Sequence, residues 1–193
     1  MEDSTIYGDK REKLVNNLYA TYRKKNHDYG DSFGKSCDKY GLIAAIVRMN
    51  DKVNRFAQLI DKDSEVQESI QDTLLDLANY SIMTIDWLSG SKEDDSIEFI
   101  YAQLLDNLST QKEKPLPEVL VDFKKWFYQL EQSNKLNHSK STISYSLMYI
   151  ASLACITYLV IERNNLSRDN FKASETHVFD YVEMGKLYKS KQF

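Results

Sequence analysis

Glu68-Ser69-Ile70-Gln71-Asp72-Thr73-Leu74-Leu75-Asp76-Leu77-Ala78-Asn79-Tyr80 is the stretch on which the fold turns. It contains good helix formers and neither Gly nor Pro, so it reads as part of a helix over about residues 65–88, with Ser64 as N-cap. At about 100° per residue, Glu68, Asp72, Asp76 and Asn79 share one stripe. Asp76 lies inside the run Leu74-Leu75-Asp76-Leu77-Ala78, with Ile82 and Met83 following. A carboxylate among apolar neighbours is costly unless it is paired, metal-bound or protonated. The sequence before it holds the answering charges.

A second helix is expected over about residues 42–61, where Leu42, Ile46, Met49, Val53, Phe56 and Ile60 form a bundle-type seam. Arg48, Asp51, Lys52 and Arg55 occupy a narrow arc beside that seam. Only Lys62-Asp63-Ser64 joins the two helices, so they should pack antiparallel. Upstream, Leu14, Val15, Leu18, Tyr19 and Tyr22 give an apolar stripe over about residues 9–26, with Asp9 as N-cap and Arg23-Lys24-Lys25 at the C-terminus. The stretch 27–36 between these helices, with Gly30 and Gly34, reads as a polar loop. Downstream, helices are expected over about residues 96–108, 117–132, 141–163 and 175–188. The fold class is therefore all-α, an antiparallel helical bundle of six to seven helices. A break over residues 90–95 divides a first unit, residues 1–90, from a C-terminal helical half, residues 91–193. That half carries no legible chemistry; completing the bundle, forming a homodimer interface and capping the site are all open to it.

The 193 residues include 42% hydrophobic and 28% charged side chains, with 6 Gly and 2 Pro, as expected of a folded domain with long helices. No period-two alternation or hairpin turn signals a strand. The net charge of -4 gives no strong nucleic-acid signal. Cys37 and Cys155 have no metal or redox spacing and read as small apolar residues in a reducing cytoplasm. Met1-Glu2-Asp3 is polar and acidic, which gives no signal-peptide reading, so a cytoplasmic location is expected. Residues 141–161 carry no charge and are long enough to cross a bilayer, but their Ser, Thr and Tyr content favours a buried helix over a membrane span.

Carboxylates at i, i+4 and i+8 project together and can share a divalent cation; oxygen-only ligation suits magnesium with substrate phosphates. Arg and Lys beside them can hold phosphate oxygens. Tyr29, Tyr80 or Phe33 can stack on a base. The plainer reading of the same stripes is a structural ion-pair network with no ligand.

Lys25-Asn26-His27-Asp28-Tyr29-Gly30-Asp31-Ser32-Phe33, then Arg48-x-x-Asp51-Lys52-x-x-Arg55, then the Glu68 to Tyr80 stretch, resemble the first of the nucleotide modification associated domain families of phages and bacteria. The likeness spans about residues 14–88. More distantly, the acidic helix is similar to that of all-α nucleoside triphosphate pyrophosphohydrolases of the MazG and dimeric dUTPase kind, where two helices each bring acids to magnesium. Together the likenesses imply a helical protein that takes a nucleotide or nucleotide-derived small molecule. Asp72 and Asp76 would be catalytic, with Mg2+ held by Glu68, Asp72, Asp76 and Asp51. Lys25, Asp28, Tyr29, Arg48, Lys52, Arg55 and Asn79 would contact the nucleotide. This chain has Arg48, Lys52 and Arg55 where the first acidic motif of the pyrophosphohydrolases would stand. A non-catalytic binder that sequesters a nucleotide signal is thus the alternative to a hydrolase, and a protein–protein interaction module is the third reading.

Overall fold

The long apolar periodicities close on one another in a computed structural model, which describes residues 2–61, 69–90 and 95–164. Seven helices follow in order among the described residues: α1 (Glu2–Tyr29), α2 (Ser32–Tyr40), α3 (Leu42–Asp61), α4 (Ile70–Ser89), α5 (Asp95–Thr110), α6 (Leu116–Lys135) and α7 (Lys140–Asn164). No strand occurs among those residues, and the fold is an all-α bundle.

The centre is α4 against α7, with α3 and α6 closing one side and α1 and α5 the other. Both central helices can lie close because Ala78, Ser81, Ala151, Ser152 and Ala154 are small and fully buried. Their buried hydroxyls need partners, and each finds one in its own helix. Ser81 Oγ donates to the Leu77 carbonyl at 2.9 Å, Ser152 Oγ to Met148 at 2.8 Å and Thr157 Oγ1 to Leu153 at 2.7 Å. In this way the uncharged, hydroxyl-rich stretch 141–161 of α7 can be enclosed. By length and composition alone α7 is apolar enough to cross a membrane, yet 67% of its apolar window is buried inside the bundle.

The apolar seam of α3 is buried along its length at Leu42, Ile46, Met49, Val53 and Phe56, as its periodicity requires. Ser81 Oγ meets Met49 Sδ at 3.4 Å. Further along α3, Lys52 meets Asp76, which precedes Ser81 on α4. Ascending one helix therefore descends the other, and α3 and α4 are antiparallel. Phe56 of α3 and Phe123 of α6, both fully buried, meet edge to face with ring centroids 5.4 Å apart. A single apolar cluster runs from Leu14 in α1 to Ile161 in α7, so both halves of the described chain share one core.

Several boundaries differ from the sequence expectation. The stretch 27–36 is not a loop. α1 continues to Tyr29, and α2 begins at Ser32 and runs to Tyr40. Only Gly30 and Asp31 link them, both left-handed with φ of 55° and 51°. Phe33 and Cys37, one helical turn apart, are the buried face that makes this segment a helix. α1 begins at Glu2, so Asp9 lies within it instead of capping it. α4 begins at Ile70 with Ser69 as its N-cap, not near Ser64. The expected helix over 175–188, the 62–64 link and Glu68 lie outside the described residues.

Candidate functional site

The start of α4 explains one acid. Asp72 Oδ2 accepts the Ser69 N–H at 3.2 Å and the Ser69 hydroxyl at 2.9 Å, while Ser69 Oγ accepts the Asp72 N–H at 3.0 Å. This reciprocal cap satisfies backbone donors that have no partner inside the helix. Asp72 is exposed, and its carboxylate serves its own helix end.

One turn on, Asp76 is held between two helices. Lys25 Nζ, at the end of α1, donates to Oδ1 at 3.0 Å; Lys52 Nζ, from α3, lies 2.8 Å from Oδ2. The Asp76 and Lys52 side chains are only 24% and 19% exposed, whereas Lys25 is 55% exposed. Burial alone would raise the Asp76 carboxyl. Hydrogen bonds and charge from Lys52 and Lys25 outweigh it and hold the group below its ordinary value of 3.8. The buried-looking acid of the sequence thus has its answer in two ammonium groups, so the three side chains sum to one positive charge.

Next on the same stripe is Tyr80, whose ring stacks on Phe33 of α2 at 5.5 Å between centroids. The Arg48 guanidinium lies 6.0 Å from the centre of the Phe33 ring. Lys25, Lys52 and Asp76 form one cluster and Tyr80, Phe33 and Arg48 a second, one helical turn away along α3 and α4, and the two make up a group drawn from α1, α2, α3 and α4.

The remaining expected residues fall elsewhere or only border this group. Asp51 is exposed on α3, and Arg55 is partly buried one turn beyond Lys52. Asp28 is exposed, with its carboxylate 3.2 Å from His27 Nδ1, and the Tyr29 ring is exposed as well. Asn79 faces α5, where its Oδ1 accepts the buried Tyr101 hydroxyl at 2.8 Å. Among the described residues, no three of Asp, Glu, His or Cys come together as a metal-holding group. The donor chemistry at Asp72 and Asp76 points the same way. Both Asp76 oxygens are engaged by lysines, and the Asp72 carboxylate is engaged by Ser69. Two ammonium cations on Asp76 would repel a divalent cation there, and Asp72 alone supplies too few ligands, so as placed these carboxylates do not fit a magnesium cradle.

Below Tyr80, the same face of α4 opens on a cavity of about 270 Å3 shared with α1, α2 and α5. Its lining includes Asp31, Phe33 and Asp38 of the α2 region together with Asp86 and Trp87 of α4. Asp38 Oδ1 accepts the Trp87 indole N–H at 2.9 Å. Sequence reasoning misses Asp31 and Asp38 because two glycines make the α2 segment look like a loop, and misses Asp86 and Trp87 because nothing local shows that α2 faces that end of α4. The Phe33–Cys37 spacing is the signal that could have found the helix. Asp31 also caps α2 by accepting the Gly34 N–H at 3.0 Å. A Cβ on Gly34 would overlap that carboxylate, which has to leave its capping position to make room. Asp31→Ala is expected to cost about 1 kcal/mol, the typical worth of an N-cap, read as a shifted urea midpoint. An unchanged midpoint would show that Asp31 does not hold α2.

Residues 25–86 match the family model described as nucleotide modification associated domain 1. The match encloses Lys25, Phe33, Arg48, Lys52, Asp76 and Tyr80, and it ends at Asp86 on the cavity wall. No curated protein and no solved structure matches the chain.

Proposed function

We propose that the protein binds a nucleotide or a nucleotide-derived phosphate compound, with Lys25 and Lys52 gripping the phosphate and Arg48 beside them. The observation that carries this reading is the pair of lysines from different helices, brought together on one carboxylate. Asp76 orients both ammonium groups, and ammonium donors suit phosphate oxygens. The family match supports a nucleotide as ligand, since it covers all of these residues. Binding without turnover is favoured over magnesium-dependent hydrolysis because Asp76, the least exposed of the described acids expected to hold the metal, already lies between two lysine cations.

Calorimetric titration with nucleoside mono-, di- and triphosphates is expected to give heat of binding with the purified chain. Lys25→Ala combined with Lys52→Met is expected to weaken binding by on the order of tenfold per lysine, because charge-assisted hydrogen bonds are lost. Absence of heat across the whole panel would overturn the reading. The ligand should be recovered intact after prolonged incubation with magnesium. Release of phosphate or pyrophosphate would replace the binder with the hydrolase.

A further inference from the structure

Charge is divided along one face of α4. Asp76 with its two lysines occupies one end, and the acid-lined cavity at Met83, Asp86 and Trp87 occupies the other. Asp76 and Met83 are seven residues apart, about 10 Å along the helix. Tyr80 and Phe33 are stacked between them. A phosphate is attracted to the lysine end and repelled from the carboxylate end. The cavity volume of about 270 Å3 falls just under the range of roughly 300–1,000 Å3 that encloses a whole drug-sized ligand, so it suits one ring system. Its walls include the aromatic side chains of Tyr22 and Trp87 and the carboxylates of Asp31, Asp38 and Asp86, while Phe33, stacked on Tyr80, closes one side.

Resting on the phosphate site proposed above, we infer that this cavity is a nucleobase subsite selective for guanine. A carboxylate accepts only, and its two oxygens match two adjacent N–H donors. Guanine presents such a pair at N1 and N2. Adenine and cytosine present an amino group beside a ring acceptor. Uracil and thymine present one N–H flanked by carbonyl oxygens, which a carboxylate repels. Asp31 Oδ1 takes the Gly34 N–H and Asp38 Oδ1 takes the Trp87 indole. These bonds fix both carboxylates in place and use one acceptor site of the several that each carboxylate has. The Asp38 bond also fixes the indole ring, and a base stacked against that ring would alter its emission.

Trp87 and Trp126 are the two tryptophans of the chain, so Trp126→Phe leaves Trp87 as the sole indole reporter. GMP, AMP, CMP and UMP are titrated into that protein, and affinity is followed by Trp87 emission and by calorimetry. GMP is expected to quench Trp87 and to bind on the order of tenfold more tightly than UMP, the discrimination a bidentate base contact provides. Asp38→Asn with Asp86→Asn keeps side-chain oxygens at both positions but removes the charge, and it should erase the preference for GMP over UMP. Equal affinity for all four nucleotides, or an unchanged preference in the double variant, would overturn the base subsite and leave the phosphate site standing. Guanosine, which carries no phosphate, separates the two readings in the other direction. If it quenches Trp87 where no nucleotide shows lysine-dependent binding, the cavity stands alone; if guanosine and GMP are both silent, the cavity reading fails.

Discussion

Phe56→Ala lowers stability by about 3–5 kcal/mol, the cost of deleting a fully enclosed aromatic ring and leaving a void. For a chain of this size that is a fall in melting temperature of about 10 °C. Phe56 is fully buried on the inner seam of α3, and its ring meets that of Phe123 at an interplanar angle of 90°. The contact joins a helix of the family-matched segment to α6, outside that segment. Phe123→Ala should cost a similar amount, and the double variant should lose less than the sum, since both remove the same contact. Thermal and urea melts of the four proteins check this. A loss below about 1 kcal/mol in either single variant would mean that α6 is not packed on α3 as described.

The second large effect is electrostatic. Asp76→Leu leaves the mostly enclosed Lys52 ammonium without this counter-charge. Breaking a fully buried pair costs about 3–5 kcal/mol. Here Asp76 keeps a quarter of its surface in water, and solvent screens part of the interaction, so about 1–2 kcal/mol is expected. Lys25→Ala should cost well under about 1 kcal/mol, because Lys25 is half exposed. Lys52→Met combined with Asp76→Leu should recover most of the loss by removing both charges from the enclosed pair. The pH dependence has a definite sign. The folded Asp76 carboxyl sits below its ordinary value of 3.8, so its contribution is complete above that value and is lost as pH falls through the folded value. The stability gap between wild type and Asp76→Leu should therefore be widest near neutrality and close under acid. A gap that persisted in acid would mean that the leucine disturbs packing and that no charge effect was measured.

Both effects arise from features visible in the chain before folding. The α3 seam is legible because its apolar residues recur at steps of three and four, and burial follows that period directly. Asp76 is legible as an anomaly because a charge flanked by leucines demands compensation. The arc of Arg48, Lys52 and Arg55 points to the source on α3. The contribution of Lys25 has only a motif to suggest it. Fifty-one residues separate it from Asp76, and helix periodicity carries no information on which distant end lands where.

Local pattern also misleads at two places. Ser64 and Ser69 are both acceptable caps in sequence, but the described α4 uses Ser69, since Asp72 returns a bond to it three residues later. That bond makes Asp72 a helix-end residue where the sequence suggests a ligand. The α2 segment is hidden by its glycines, which suggest a turn wherever they occur; a nine-residue helix forms because Phe33 and Cys37 find a core to enter.

An all-helical chain with long amphipathic elements is thus determined by residue order, because propensity and the 3.6-residue period act within one helix and need no partner. Which carboxylates stay available for a ligand is decided by packing. Asp76 between two lysines and Asn79 beneath Tyr101 are set by helices far apart in the chain, and so is the cavity beside Trp87. Such meetings depend on crossing geometry, which no local spacing encodes.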